Sequence, residues 1–501
     1  MAIARQVAFK VEFDWDFDGT FTDESVYLIS AEGTTSYAPL YKTLLDGKGV
    51  VDGCTITLRN NTNRFSSLSP GAALYTYLRD GNGYRIPVRL SVSINNGSNW
   101  YRIFTGVTKA PVERTATTNS IRTVTISCRS NEELLLQARS STTQASMVAM
   151  HNNSYSEAQI IAAWLQQLGY GSGDYALDPG MYTIPWAWLD DESPLEDIWM
   201  LAAAAGGRFY ADTNGIFRYE AAPHYLASDH TTAVDALTRD HYGNIEFEWQ
   251  DSDLYDRVVV ETAPRQESAL AIVWEPDATI VVPAGGSTTV TARFRQAVTA
   301  VTNVAWRAKS SASQDITSSV SLAAPSYYAQ RVDLTWSNAH ATRAAYLYGV
   351  AISGVPLIGG PTQEVTAKYG VGLTPRFWTS RGDRVKSLRN NLYIQSRAQA
   401  RSLASFLFDQ CEYPRLRVTL HNVPGKPSYR LGDRLSIYDS KLMDLNSSID
   451  IMIDRIGWRC NSNGFTQEIS GIDVTGGLYH MTSYFQLDVD ALIAVPKPVF
   501  Y

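Results

Sequence analysis

Through the first 130 residues apolar and polar side chains alternate with a period of two, the mark of strands with one buried face. In VAFKVEFDWDF, Val7, Phe9, Val11, Phe13, Trp15 and Phe17 fall on one side, and Lys10, Glu12, Asp14 and Asp16 on the other. DGCTITLRNNTNRF runs from a strand into an Asn-rich turn, and NNGSN joins RIPVRLSVSI to NWYRIFTGVTKA as a hairpin. SIRTVTISCRS closes the set. Short strands broken by Gly and Asn turns predict a barrel or sandwich.

The period changes after residue 150. SYSEAQIIAAWLQQLGYG predicts a helix capped by Ser154 or Ser156 and stopped at Gly169. SPLEDIWMLAAAAGG predicts a second, with Ser193 as cap, Pro194 in the first turn, Glu196 completing a capping box and Gly206-Gly207 as the stop. RFYADTNGIFRYEA is a hairpin turning at Asn214-Gly215. Residues 265–362, rich in Val, Thr, Ala and Ser, read as a separate β-sandwich that interrupts a run resuming afterwards. SRAQARSLASFLFDQC is a third helix, and four strand-like stretches follow it. There is also an internal echo. YRIFTGVTKAPVERTATTNSIRTVTISCRS and IDIMIDRIGWRCNSNGFTQEISGIDV share a plan of glycine-bearing strand, polar turn and alternating strand, which suggests two similar barrels in one chain.

At 501 residues the chain should hold three or four domains. A formal charge of −7 without a basic block argues against gripping nucleic acid. No signal-peptide core and no apolar stretch long enough to span a membrane is seen, so synthesis in a cytoplasm is expected. Cys54, Cys128, Cys411 and Cys460 are far apart, without a CxxC, and read as buried free thiols.

Little of the sequence spells chemistry. Asp14, Asp16, Asp18 and Gly19 imitate the first half of a calcium loop, yet a strand leads in and Ser25 stands where the bidentate Glu belongs. A strand end and its turn is the preferred reading. Asp190, Asp191 and Glu192 could divide acid and base roles in glycoside hydrolysis, but they precede a helix start, where negative charge complements the dipole. His151, His224, His230, His241, His340, His421 and His480 are dispersed, and only His224 and His230 could form a zinc pair. Gly432-Asp433 reads as a turn feeding a strand. Trp306 and Trp336 could stack on sugars or fill a sandwich core. No catalytic residue, metal or cofactor is assigned.

Taken in order, DWDFDGTFTDES, CTITLRNNTNRFSS, SPGAALYTYL and YRIFTGVTKAP resemble the amino-terminal domain of phage tail-tip, or baseplate hub, proteins of the siphophage minor tail type. SPLEDIWMLAAAAGGRFYADTNGIFRYE, SRAQARSLASFLFDQ, YRLGDRLSIYD and IDIMIDRIGWRC…FTQEI are similar to the family's later segments, and RVDLTWSNAHATRAAYLYGVAISGVPL to its inserted sandwich. The likeness covers roughly residues 5–475. It implies a mainly β fold with a smaller α+β part: a tube-like barrel over 1–135, a helical α+β domain over 140–210, and a second barrel over 211–264 plus 366–475 with a capping helix at 396–411. The Ig-like sandwich would occupy 265–362, and 476–501 would be a docking tail presenting Tyr479, Tyr484, Phe485, Leu492, Ile493 and Phe500.

The resemblance also implies a role: a non-enzymatic homotrimeric hub in the virion's tail tip. Its six barrels would cap a hexameric distal tail or tail tube protein and adapt sixfold to threefold symmetry. The tape-measure protein and then DNA would pass the lumen without specific binding. Many hubs carry a long fibre or a peptidoglycan-cleaving domain; here a separate fibre or spike protein is expected to supply host recognition. Receptor or carbohydrate binding through the sandwich, and cell-wall hydrolysis, are the alternative readings; within the hub reading, a contractile-phage or secretion-type hub stays open.

Overall fold

The computed structural model describes residues 7–37, 53–79, 85–115, 122–141, 155–224, 228–250, 254–368, 384–411, 415–438, 448–462 and 464–474. The chain is mainly β, as its alternation predicts. A first group of strands comprises β1 (Ala8–Phe13), β2 (Leu28–Ser36), β3 (Gly53–Arg59), β4 (Pro87–Ser93), β5 (Tyr101–Thr108), β6 (Val112–Thr115) and β7 (Arg122–Ser130). Helices α1 (Glu132–Gln137), α2 (Glu157–Gln167) and α3 (Pro194–Ala204) follow, then a hairpin of β8 (Arg208–Ala211) and β9 (Phe217–Glu220). Next come β10 (Ala233–Thr238) and β11 (Asn244–Gln250), and the sandwich region with its two long strands, β12 (Val298–Lys309) and β13 (Ala345–Gly359). Helix α4 (Arg397–Cys411) leads to β14 (Arg415–Pro424), β15 (Arg434–Tyr438), β16 (Ile449–Asn461) and β17 (Gly464–Asp473).

Strands from both ends of the chain share one 14-stranded sheet, in the order β11-β14-β17-β16-β2-β3-β7-β5-β4-β1 and then the two-residue strand Thr22–Asp23 along its main path, with β10-β15 attached to β16 and β6 to β7. This order contains a repeat. Numbered by appearance in the chain, β1, β2, β3, β4, β5 and β7 lie side by side as 2-3-6-5-4-1. So do β10, β11, β14, β15, β16 and β17. Four of the five neighbour pairs are antiparallel in both units; the last differs, β4·β1 being antiparallel and β15·β10 parallel. The two echoing sequences are β5–β6–β7 and β16–β17, which occupy equivalent places. Each unit has its own apolar core: Val11, Phe13, Ile56, Leu90 and Ile126 in the first, Val418, Leu420, Leu435, Ile451 and Ile469 in the second.

Helices α2, α3 and α4 with β8 and β9 build a separate core, the central core, with Trp164, Leu195, Phe209, Tyr219 and Leu407 buried in it. Ser156 caps α2 in a closed capping box with Gln159. The box expected at Ser193 does not form. Its hydroxyl donates to Leu135 O at 3.4 Å instead, because α1 packs across the start of α3. Helix α4 also departs from expectation. It does not cap the second strand unit but buries Leu403, Leu407 and Phe408 in the central core, with Val258, Val260, Val365 and Ala367. Much of its surface is apolar, and only a site enclosed by helices and strands covers that much of it. Residues 217–220, expected in the second barrel, likewise pair with β8 in this central part.

The sandwich region leaves and re-enters through adjacent antiparallel strands, Arg257–Glu261 and Glu364–Lys368. A five-stranded sheet holding β12 and β13 and a four-stranded sheet holding Arg331–Asn338 enclose a common core of Val332, Leu334, Trp336, Leu347 and Ile352. Cys54, Cys128, Cys411 and Cys460 are all buried and none is in a disulfide.

Candidate functional site

The two strand units meet where β2 pairs antiparallel with β16, from Ala31↔Cys460 to Ser36↔Arg455. The partners lie more than 400 residues apart in the chain, and among the described residues this is the pairing that makes the two units one sheet. Gly33 sits opposite both Trp458 and Cys54. A Cβ on Gly33 would lie 2.4 Å from Trp458 Cζ2 and 3.0 Å from Cys54 Cβ. The indole therefore occupies the volume that glycine leaves. Trp458, Cys460 and Phe465 thereby belong to the first unit's core although their strands belong to the second. At the surface Arg459 Nη2 meets Glu32 Oε2 at 3.0 Å, an exposed pair that sets register more than it stabilises.

A buried polar cluster extends the seam to the central core. Glu220, on β9, is its hub. Arg208 Nε lies 3.0 Å from Glu220 Oε2, both side chains being almost fully buried. The hydroxyls of Tyr37 and Tyr210 donate to the same carboxylate, that of Tyr37 at 3.3 Å, and the Arg208 guanidinium lies 3.5 Å from the Tyr37 ring centroid. Burial, then the Glu220 charge, holds both tyrosine hydroxyls above their usual range. His224 joins through Glu220 Oε1 at 3.5 Å and Asp178 Oδ2 at 2.7 Å. His230, its ring centroid 4.7 Å from that of His224, reaches Gly432 O at 2.9 Å. The two histidines do come together, but as links between β9 and the β15 turn. Sequence reasoning missed this cluster; its one visible signal was a charge of opposite sign at each end of a short hairpin, Arg208 and Glu220.

Glu132 begins α1 and its Oε1 accepts from Ala211 N at 2.6 Å. Burial pushes its pKa up to about 7. Asp197 on α3, which accepts from Tyr393 Oη at 2.5 Å, is also pushed up to about 7, by burial first and then by the neighbouring Glu192. In the unfolded chain both return to ordinary carboxylate values. Between about pH 4 and 7 the folded state thus holds more protons, so stability falls as pH rises through that window and levels off above it. The unfolding free energy from urea titrations should drop between pH 5 and pH 8, by an amount on the order of 2–3 kcal/mol for Glu132, and Glu132→Gln should remove much of that slope. Equal slopes in the two proteins would contradict the assignment.

The Asp14, Asp16 and Asp18 carboxylates converge to within 4.8 Å. Here the sequence reading needs correcting: β1 ends at Phe13, so Asp14 and Asp16 are loop residues and not outward strand positions. Asp14 is buried and accepts from Asp18 N at 3.2 Å and Gly19 N at 3.1 Å, closing the loop by itself. Asp190–Glu192 form a short strand against Ser140–Ser141, and Asp191 meets Arg293 Nη2 of the sandwich at 3.1 Å. The run thus serves as a clasp as well as preceding α3. Leu435 and Ile437 after the Gly432-Asp433 turn are core residues, as read.

Trp336 is fully buried in the sandwich core. Trp306 is not. It sits at a register break, where Ala305 pairs Ala351 and Arg307 pairs Tyr348, and lines an open cleft of about 430 Å³ with Arg307, Tyr348 and Gly349. Tyr479, Tyr484, Phe485, Leu492, Ile493 and Phe500 lie outside the described residues. No helix among the described residues is long and apolar enough to cross a membrane.

No protein-family model and no curated protein matches this chain. Among solved structures it is similar to a tail protein from Neisseria meningitidis MC58, with 9% identity over 93% of this chain and 96% of that one and a TM-score of 0.44. It is also similar to the 43 kDa tail protein of prophage MuSo2 from Shewanella oneidensis, with 10% identity over 93% and 98% and a TM-score of 0.46. A third is the E. coli c3393 protein, described as a type VI secretion system component with structural similarity to T4 tail proteins gp27 and gp5; it shows 9% identity over 89% and 73% and a TM-score of 0.35. All three scores fall below one half.

Proposed function

We propose that this chain is a structural hub of a bacteriophage tail tip, acting without catalysis as a homotrimer. The observation that carries the reading is the repeated 2-3-6-5-4-1 strand order, with the two units fused edge to edge through β2 and β16. Each unit is taken as a tube-like barrel, so one chain supplies two similar barrels side by side. Three copies then supply six, and a threefold assembly offers a sixfold face to a hexameric tail tube. Closing the ring also buries sheet edges that would otherwise aggregate. In this reading the ring encloses a lumen for the tape-measure protein and DNA, and the chain's net charge of −7 suits passage of a polyanion without capture. The residues from 476 onward remain our candidate strap for a fibre or spike protein. The test is the mass of the purified full chain in solution, where a trimer is expected and a monomer at all concentrations would contradict the reading.

The open cleft at Trp306 favours a second reading, in which the sandwich contacts saccharide on the host surface. Trp306→Ala should then abolish binding of the full chain to a glycan array while leaving its mass unchanged. An array without signal for the unaltered protein would remove this reading.

A further inference from the structure

Strand β2 is covered on both edges, by β3 and by β16. Its counterpart in the second unit, β11, pairs with β14 on one edge, and no strand covers the other among the described residues. The counterpart of β16 in the first unit is the line formed by β5 and β6 along β7. Here too the edge of β6 away from β7 carries no strand among the described residues. The two halves of the seam within the chain therefore each have an unpaired equivalent. We propose that β11 of one copy pairs antiparallel with β6 of the next, repeating between chains the β2·β16 seam within each. The occupant of both open edges is a second copy of this chain, and the proposal rests on the ring reading above.

The internal repeat fixes the register. Ala31 pairs Ile56, which pairs Ile126; Ile245 pairs Leu420, which pairs Ile469. This makes Ala31 equivalent to Ile245, and Ile126 to Ile469. A second marker agrees. The β16·β17 ladder breaks just after Ile453↔Gly471, and the β5·β7 ladder ends at Thr108↔Cys128. Gly471 and Cys128 are each two residues beyond those anchors. With this alignment Arg459, opposite Thr466, corresponds to Arg114, opposite Thr123. Glu32, which follows Ala31, corresponds to Glu246, which follows Ile245.

The side chains at the aligned positions fit. Within the chain Glu32 faces Arg459 and the two form an ion pair. Between chains the same position sets Glu246 against Arg114, so the charge pair recurs with its polarity preserved. Glu246 is still 64% exposed although His421 Nε2 lies 3.3 Å from it. One step on, Gly33 facing Trp458 becomes Phe247 facing Glu113, placing the bulky ring on the other strand. Glu113 is held aside by Ser66 and Ser67, its Oε1 accepting from Ser67 N at 2.7 Å. Two steps further Trp249 comes level with Pro111. Trp249 is 65% exposed and Val112 52% exposed, so both are large apolar groups on edges that the pairing would cover.

Two variants of the full chain test this. Glu246→Cys with Arg114→Cys places cysteines at directly opposed positions, and mild oxidation should cross-link neighbours into a closed covalent trimer on a denaturing gel. Glu246→Arg or Arg114→Glu alone should weaken assembly about tenfold or more, and the double reversal should restore most of it. An assembly that forms normally, does not cross-link and ignores both reversals would overturn the β11·β6 seam and leave the hub reading standing. An unaltered chain that never assembles would bring down the hub reading, and the seam with it.

Discussion

Replacing Gly33 with valine should break the sheet at its midpoint. The new Cβ would fall 2.4 Å from the Trp458 ring, and the indole, only 6% exposed, has core neighbours on its other sides. Overpacking in such a place costs about 1–3 kcal/mol in general, and a β-branched side chain between two paired strands belongs at the upper end. Trp458→Ala should cost about 3–5 kcal/mol from the opposite cause, an emptied volume beside a glycine that cannot refill it. The two defects are complementary. In a double-mutant cycle, Gly33→Val with Trp458→Ala should destabilise by clearly less than the sum of the single changes. Urea unfolding of the four proteins measures the coupling. Strict additivity would mean that the indole does not occupy the space above Gly33.

Glu220→Ala should be nearly as damaging. It strands the Arg208 guanidinium in a buried site and removes the shared acceptor of two tyrosine hydroxyls. Breaking one side of a buried ion pair costs about 3–5 kcal/mol. Glu220→Gln keeps an acceptor but loses the charge, so it should cost less than alanine and should bring the titration of Tyr37 and Tyr210 down toward the ordinary range, read by ultraviolet absorbance. Arg208→Met combined with Glu220→Leu should recover much of the loss, because neither buried charge then remains. If alanine at 220 shifts the urea midpoint no more than a surface substitution does, the cluster is not holding the seam to the central core.

The strands of the two units were legible because each has one dry face, so that period-two runs such as the one around Val11 and Phe13 mark themselves. The repeat showed as well, since the echoing sequences fall on equivalently placed strands. What joins them did not. Gly33 and Trp458 are unremarkable by themselves, and their complementarity exists only once strands from opposite ends of the chain are side by side. The same holds for Tyr37 and Glu220, 183 residues apart. Helix α4 was misplaced because an apolar face reveals that a helix is covered and not by what. Asp14 was misread because alternation continues in the letters past Phe13, while the backbone has already turned to let its carboxylate accept from Asp18 and Gly19. Buried carboxylates such as Glu132 give no local signal, since only folding removes their water.

Three copies make a six-part ring only if the chain carries one strand unit twice at equivalent places. Electron microscopy of the purified full chain, averaged down the particle axis, tests this most directly. The predicted image is a threefold particle with six similar densities at one radius. Six densities at two distinct radii, or particles holding a single copy, would contradict it.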